Sequence, residues 1–388
     1  MGGNAMSEWP KVKLKELMVI KNGKDHKALL DGEYPVYGSG GIMRYVNKYL
    51  YDKESVLLPR KGTLNNIQFA TFPFWTVDTC YYTEVKNEKV LPYFLYLSIC
   101  QLDIAALNTG SAVPSMTFDK YYSIEINLPP LPVQRRIAEI LSRYDSLIEN
   151  YQRQIKLLEE AAQRLYKEWF VDLHFPGHDN TPIIDGIPEG WEKKKLGEIT
   201  SKFATGLNPR KNFVLGHGEN YYVTIKNMSN NDIIFDDKCD RVDNEALEKI
   251  NKRSDLQMGD LLFSGIGTIG RVYLINEPVK NWNISESVFT MRPNPNIPSV
   301  FLYLLLLNKD IQDYCQSNAH GCAQKGIRMA DLKAYDLILP NKEIMNYFVL
   351  LASKFINRVK SLQTQIRDLT EARDRLLPKL MSGEIDIV

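Results

Sequence analysis

A few small groupings of residues have types and spacing that could do chemistry. Gly265, Gly267 and Gly270 form a G-x-G-x-x-G string after the apolar run Leu261-Leu262-Phe263, the order in which a dinucleotide fold offers backbone N–H groups to a pyrophosphate. A helix N-terminus must then follow to hold the phosphates. Here Arg271-Val272-Tyr273-Leu274-Ile275 follows, a β-branched and aromatic run that reads as another strand. The string is therefore read as a glycine-rich turn between strands, with a nucleotide-binding enzyme as the alternative. His174 and His178 are four apart, but Pro176-Gly177 breaks any helix that would align them, so no metal site is expected. Cys80, Cys100, Cys239, Cys315 and Cys322 are odd in number and contain no CxxC pair. They read as reduced thiols, neither a zinc site nor a disulfide frame.

The elements that must position any site are unusually long. Ile137, Leu141, Tyr144, Ile148, Tyr151, Ile155, Leu158, Ala162, Leu165 and Trp169 keep an unbroken 4,3,4,3 spacing, which is a heptad seam on one helix. The seam returns 211 residues later as Phe348, Ala352, Phe355, Val359, Leu362, Ile366, Leu369, Arg373, Leu376 and Leu380. The offset continues outside the helices, with Gly110 matching Gly321 and Leu128-Pro129 matching Leu339-Pro340. The chain is an internal duplication. Each helix would be about 50–55 Å long at 1.5 Å per residue, and neither can hide its stripe alone. Each is expected to bury its seam against the other as a two-stranded coiled coil. Arg373 breaks the seam opposite a small counterpart, Ala162; it either lies over that small residue toward solvent or fixes the register.

The blocks between the helices also repeat. Trp9, Leu14 and Leu17 recur as Trp191, Leu196 and Ile199 at identical spacing, and Phe94-Leu95-Tyr96-Leu97 recurs letter for letter as Phe301-Leu302-Tyr303-Leu304. The latter reads as a core helix. Tyr34-Pro35-Val36-Tyr37 and Tyr221-Tyr222-Val223-Thr224-Ile225 read as strands, and Ile124–Leu128 and Tyr335–Leu339 as closing strands. Prolines mark each exit, with Pro132 suited to the first turn of the long helix. Pro378 should end or kink the last turn of the second helix, and Gly383 should stop it. The fold class is α+β: two globular mixed α/β domains joined by two long antiparallel helices, with an internal pseudo-two-fold. The expected divisions are a first domain at 6–130, a central helix at 131–172, a linker at 173–190, a second domain at 191–340 and a C-terminal helix at 341–382. Met1-Gly2-Gly3-Asn4-Ala5 before Met6 is read as an added leader and left out of the fold.

Charge is balanced: 48 basic residues face 47 acidic ones. A protein that grips a polyanion unaided usually carries a basic excess, so a nucleic-acid ligand would need partners to supply phosphate contacts. No stretch reaches 18 apolar residues and no signal peptide opens the chain, so a cytoplasmic protein without membrane contact is expected.

Two blocks alternating with two repeated helices resemble the specificity subunit of type I restriction-modification systems. The residues that carry the resemblance are Leu128-Pro129-Pro130-Leu131-Pro132-Val133-Gln134, the helix start Gln134-Arg135-Arg136-Ile137-Ala138-Glu139-Ile140-Leu141, and the tail Leu376-Leu377-Pro378-Lys379-Leu380-Met381-Ser382-Gly383-Glu384-Ile385. The resemblance implies that the blocks are target recognition domains, each reading one half of a bipartite double-stranded DNA target, with the helices setting the gap. It implies two methyltransferase (modification) subunits on the helical region, bringing S-adenosylmethionine, and motor-nuclease (restriction) subunits for cleavage. This chain would hold no cofactor and catalyse nothing. Asn127-Leu128-Pro129-Pro130 is the nearest string to the Asn/Asp-Pro-Pro-aromatic motif of amino methylation, and the inserted leucine removes it. The rivals are the nucleotide-dependent enzyme and a coiled-coil scaffold without DNA.

Base-reading residues do not follow from the resemblance, because recognition blocks differ most where they read. Chemistry supplies candidates: arginine and lysine suit guanine O6/N7, asparagine and glutamine suit adenine. In the first block these are Lys24, His26, Arg44, Arg60, Lys61 and Asn65. In the second they are Asn208, Arg210, Lys211, Lys226, Asn227, Arg271, Lys325 and Arg328. A solvated charge or a phosphate contact is the plain reading of each. Gly40-Gly41 could let backbone approach DNA closely, or could be a simple turn.

Overall fold

The computed structural model describes residues 9–108, 110, 113–229, 231–321 and 324–385. They fall into two units, one of residues 1–151 with 364–388 and one of residues 152–363. In the first unit β1 (Lys11–Lys13) leads through a short helix α1 (Leu14–Leu17) into β2 (Met18–Lys21), and β3 (Asp31–Gly38) turns back as β4 (Gly41–Val46). Then come β5 (Ser55–Pro59), β6 (Gln68–Ala70), β7 (Trp75–Thr76), β8 (Cys80–Val85), α2 (Pro92–Cys100), α3 (Phe118–Tyr122), β9 (Glu125–Asn127) and the long helix α4 (Leu131–Phe170). The strands pair in the orders β2-β8-β5-β6 and β4-β3-β7, with β1 on β9.

The second unit repeats that plan. After a small hairpin, β10 (Ile183–Ile184) and β11 (Ile187–Pro188), come β12 (Glu192–Lys195), β13 (Thr200–Thr205), β14 (Asn220–Val223), β15 (Met228–Ser229), β16 (Asp232–Ile233) and β17 (Asp240–Val242). They are followed by α5 (Asn244–Ser254), β18 (Leu261–Ser264), β19 (Val272–Leu274), β20 (Trp282–Ile284), β21 (Val288–Pro293), α6 (Ser299–Leu307), α7 (Lys309–Ser317), α8 (Met329–Lys333), β22 (Asp336–Leu339) and the long helix α9 (Lys342–Ser382). The orders β13-β21-β18-β19, β17-β14-β20 and β12-β22 match the first unit sheet for sheet, including a parallel pairing of β14 with β20 where β3 pairs with β7.

The repeated tetrapeptides fill the cores. Phe94, Leu95 and Leu97 of α2 are at most 4% exposed, as are Phe301, Leu302 and Leu304 of α6; each such side chain contributes about 1.5–3 kcal/mol of burial. The low polarity all round α6 suits a helix with no solvent face.

The long helices take up their stripes within each unit. In the first, Ile137 and Leu141 at the start of α4 share a core with Leu377 and Leu380 at the end of α9. In the second, Ala162, Tyr166, Trp169 and Phe170 at the end of α4 share one with Met345, Phe348, Ala352 and Ile356 at the start of α9. Start against end in both cases is antiparallel packing. Pro132 lies in the first turn of α4, where its missing N–H costs nothing. Gln134, wholly buried, locks the entry: its Oε1 accepts from the Leu91 N–H, and its amide donates to the Lys89 and Pro129 carbonyls. Leu173, at φ 61°, turns the chain away after α4.

Pro378 does not end α9. The helix runs on to Ser382 and stops at Gly383, at φ 74° with the Glu384 N–H on the Lys379 carbonyl. The contacts of the buried Leu377 and Leu380 outweigh the one backbone bond a proline removes. Arg373 is held across the helix pair by an ion pair. Its Nη1 donates to Asp145 Oδ1 of α4 at 2.7 Å, and the other oxygen of Asp145 accepts from the Tyr93 hydroxyl of α2. At the same places in the second repeat stand Ala162 and Ile356, both buried. One copy thus uses an ion pair where the other uses an apolar pair.

Arg373→Ala or Asp145→Ile alone strands a partly buried partner and should lower stability by about 1–2 kcal/mol. The double change copies the second unit's pair, and its cost in a denaturant titration should fall well below the sum of the singles.

Candidate nucleic-acid interface

In the first unit, loops from four parts of the chain converge at one end of the sheets. The Arg60–Gly62 segment pairs with 114–116: Gly62 N–H donates to the Pro114 carbonyl and Met116 N–H to the Arg60 carbonyl, both at 2.9 Å. The tip of the β3–β4 hairpin is tied to the same region, since the Asn66 amide donates to the Ser39 carbonyl at 2.8 Å and the Gln68 amide to that of Gly38 at 2.9 Å. The loop after β2 joins them, because Gly23 lies so close to the Thr76 and Val77 carbonyls that a Cβ would meet them at 2.6 and 2.0 Å. Lys24 and Lys61 are exposed there and Arg60 is half-buried, its guanidinium 6.0 Å from the Tyr81 ring. His26 stands in the same loop with its Nδ1 buried.

Arg60 Nη1 also donates to the Asp78 carbonyl at 3.4 Å, and the other two candidates of this unit have side chains already engaged. Arg44 donates to Asp31 Oδ1 at 2.6 Å and to the Leu29 carbonyl at 3.2 Å. Asn65 spends both ends of its amide, on Asp103 at 3.1 Å and the Ala105 N–H at 2.8 Å.

The second unit builds a corresponding end from other side chains. Gly267 N–H donates to the Lys325 carbonyl and Ile327 N–H to the Gly265 carbonyl, so the bridge between Ile266 and Gly326 repeats that between Lys61 and Ser115. Lys226 projects from the 3-10 turn Ile225–Asn227, which touches Gly267 through Ile225. Asn227, only 7% exposed, accepts from the Thr224 N–H and holds that turn. Arg271 clamps it from behind, its Nη1 donating to the Ile225 and Met228 carbonyls. Asn208 donates to Glu286 Oε1 at 2.7 Å, and the Tyr222 hydroxyl reaches the other oxygen at 3.0 Å. Burial, and then the Glu286 carboxylate, push the Tyr222 phenol above its ordinary range, so it stays a donor. Arg210, Lys211, Lys325 and Arg328 are exposed.

The glycine string lies between antiparallel strands, β18 and β19, with no helix after it. Each glycine has a packing reason. A Cβ on Gly265 would fall 2.4 Å from the Phe289 ring, Gly267 has φ 83°, and Gly270 has φ 96° with the Gln312 amide against it. His174 Nδ1 faces Glu168 and His178 Nδ1 the Phe175 carbonyl. Cys80, Cys239 and Cys315 are buried free thiols, and burial pushes Cys80 up to about 12; Cys322 lies outside the described residues.

The profile of the type I restriction modification DNA specificity domain matches residues 6–160 and again 188–371. The chain belongs to this family. Among its relatives, the type I restriction enzyme MjaIX specificity subunit of Methanocaldococcus jannaschii is 26% identical over 87% of this chain and 79% of its own. The type I restriction enzyme HindI specificity subunit of Haemophilus influenzae is 23% identical over 78% of this chain and 79% of its own. The crystal structure of a type I restriction-modification system S subunit from M. genitalium has the same fold, with a TM-score of 0.61 at 17% identity over 100% of this chain and 98% of that one. Each matched segment runs from a sheet-bearing domain into a long helix, so the two matches follow the repeat seen in the sheets. No helix among the described residues is long and apolar enough to cross a membrane.

Sequence reasoning did not find Ser39, Asn66, Gln68 or Ser115, which shape the first unit's loop end. Their roles come from pairings with distant residues, and no local pattern marks them.

Gly265→Ala should lower stability by about 1–3 kcal/mol through the clash with Phe289, measured by thermal unfolding. Titration of the chain with dinucleotides and S-adenosylmethionine should show no saturable micromolar binding; such binding would restore the nucleotide reading of the turn.

Proposed function

We propose that the chain is the sequence-reading subunit of a type I restriction-modification complex, each unit's recognition domain reading one half of a split DNA target and the paired helices setting the gap. Family membership in both repeats carries this reading. The frame supports it. The sheets repeat strand for strand while the loops at the same end differ, with Lys61 replaced by Ile266 and Pro114 by Lys325 at equivalent places. Like frames with unlike loops suit two different half-sites. Lys24, Arg60 and Lys61 in one unit and Arg210, Lys211, Lys226, Lys325 and Arg328 in the other supply phosphate and base contacts. Arg271 and Asn227 hold the loops that carry them.

The near-neutral charge fits a reader whose partners share the grip on phosphate. In this reading the chain catalyses nothing and holds no cofactor, and the cytoplasm is where it works. A methyltransferase partner brings S-adenosylmethionine, and restriction subunits join for cleavage.

The helices also support two docked copies of that methyltransferase subunit. In the second unit a groove of about 640 Å³ is lined by Leu157, Ala161, Leu165, Leu351 and Phe355 with Glu160, Arg164, Glu168 and Lys354. Its string Glu160-Ala161-x-x-Arg164-Leu165 recurs as Glu371-Ala372-x-x-Arg375-Leu376, and Leu351-x-x-Lys354-Phe355 recurs as Ile140-x-x-Arg143-Tyr144. Exposed residues such as Glu160, Arg164 and Lys354 and their counterparts Glu371, Arg375 and Arg143 are not needed for the core. A surface kept alike in both copies suits the same partner twice.

The test is co-expression with the modification subunit encoded beside this chain, followed by mapping of methylated adenines in host DNA. One split motif with a fixed gap is expected, and exchanging residues 191–340 for another family member's block should change only one half. A stable complex that leaves DNA unmethylated would overturn the reading. By native mass measurement, Ala161→Arg should remove one bound modification subunit, and Ala161→Arg with Ala372→Arg should remove both.

A further inference from the structure

Among the described residues, the tight hairpin of β3 and β4 is found in the first unit. Its counterparts β14 and β17 are separated by a long insertion. Between Val36 and Tyr37 the register shifts: Val36 faces Arg44 and Tyr37 faces Ile42, so Met43 is the extra residue of a β-bulge. Bulges re-aim side chains, and here Ile42 is 49% and Met43 60% exposed. The thioether of Met43 has a prepared seat. Its Sδ lies where a Cβ on Gly38 would come within 2.8 Å, so only a glycine at 38 lets it rest over bare backbone. A Cβ added at Gly40 or Gly41 in the turn beside it would meet no atom within 4 Å, and the tip is tethered to the loop that carries Lys61.

We propose that this ribbon is a specificity-determining probe of the major groove, in which Met43 and Ile42 read the 5-methyl group of a thymine in the half-site taken by the first unit. The inference rests on the DNA-reading function proposed above. A two-stranded ribbon fits the major groove, and the thymine methyl is the apolar feature displayed there. Ile42 and Met43 are adjacent in sequence, so the bulge presents the two apolar side chains together at the ribbon's tip. Beside Lys24, Arg60 and Lys61, whose charge complements the phosphates, these two face a polyanion whose only apolar groove-edge group is that methyl. The side-chain amides of Asn66 and Gln68 each donate to a tip carbonyl, of Ser39 and Gly38, and so hold the tip in place.

The experiment uses the full chain in complex with its modification subunit, on duplexes carrying the motif found by methylation mapping. Each thymine of the first unit's half-site is replaced in turn by deoxyuridine, which removes only the methyl. At one position affinity should fall roughly three- to tenfold, the worth of about one buried methyl group. Met43→Ser should lose a similar factor on the thymine duplex and show no further loss with deoxyuridine. Gly38→Ala, where the flexible end of Met43 can move aside without disturbing the fold, should do the same. Indifference to deoxyuridine at every position, a half-site without thymine, or equal losses by the variants on both duplexes would overturn the inference while leaving the split motif intact. Unchanged DNA affinity with lost binding of another subunit would make the ribbon a protein contact instead. Absence of any split motif would fail the function itself and this inference with it.

Discussion

Everything in this protein depends on two apolar stripes that have nowhere else to go. Each long helix carries a heptad seam too extended for one globular domain to cover, and in each unit its apolar residues are buried against the other helix and the domain core together. Antiparallel packing satisfies both at once. The start of α4 is buried with the end of α9 in one unit, and the end of α4 with the start of α9 in the other. The recognition domains are fastened to this frame by buried side chains, such as Gln134 at one entry and, in the other unit, Phe170 of α4 against Phe301 of α6.

The duplication divides the chain into what had to stay and what could change. Strand order and the apolar character of the core stayed, while sizes shifted in compensating ways, as where Ile137 and Leu141 correspond to Phe348 and Ala352. Loop residues at the sheet ends changed freely. One interior pair changed from charged to apolar, where Arg373 with Asp145 stands against Ala162 with Ile356. A polar pair gives direction to an interface that hydrophobic contact alone leaves able to slide. With Tyr93 on the same carboxylate, that pair also links the α2 helix of the recognition domain to both long helices.

Much of this was written in residue types and spacing. The seam, the offset of 211, the strand-like runs and the strand after the glycine string are local patterns with periods that backbone geometry imposes, and they determine the architecture and argue against a nucleotide site. What spacing could not decide is which polar loop residues are free to meet DNA. Arg271 and Ile225 are 46 positions apart, and Asn65 and Asp103 are 38 apart, so only the folded chain shows that these side chains are already spent. The bulge that turns Met43 outward depends on the register between β3 and β4, a property of the pair of strands and absent from either sequence alone. Periodicity is a property of one segment and survives in the sequence; hydrogen-bond partnership and register belong to two segments at once, and the tertiary structure alone brings them together.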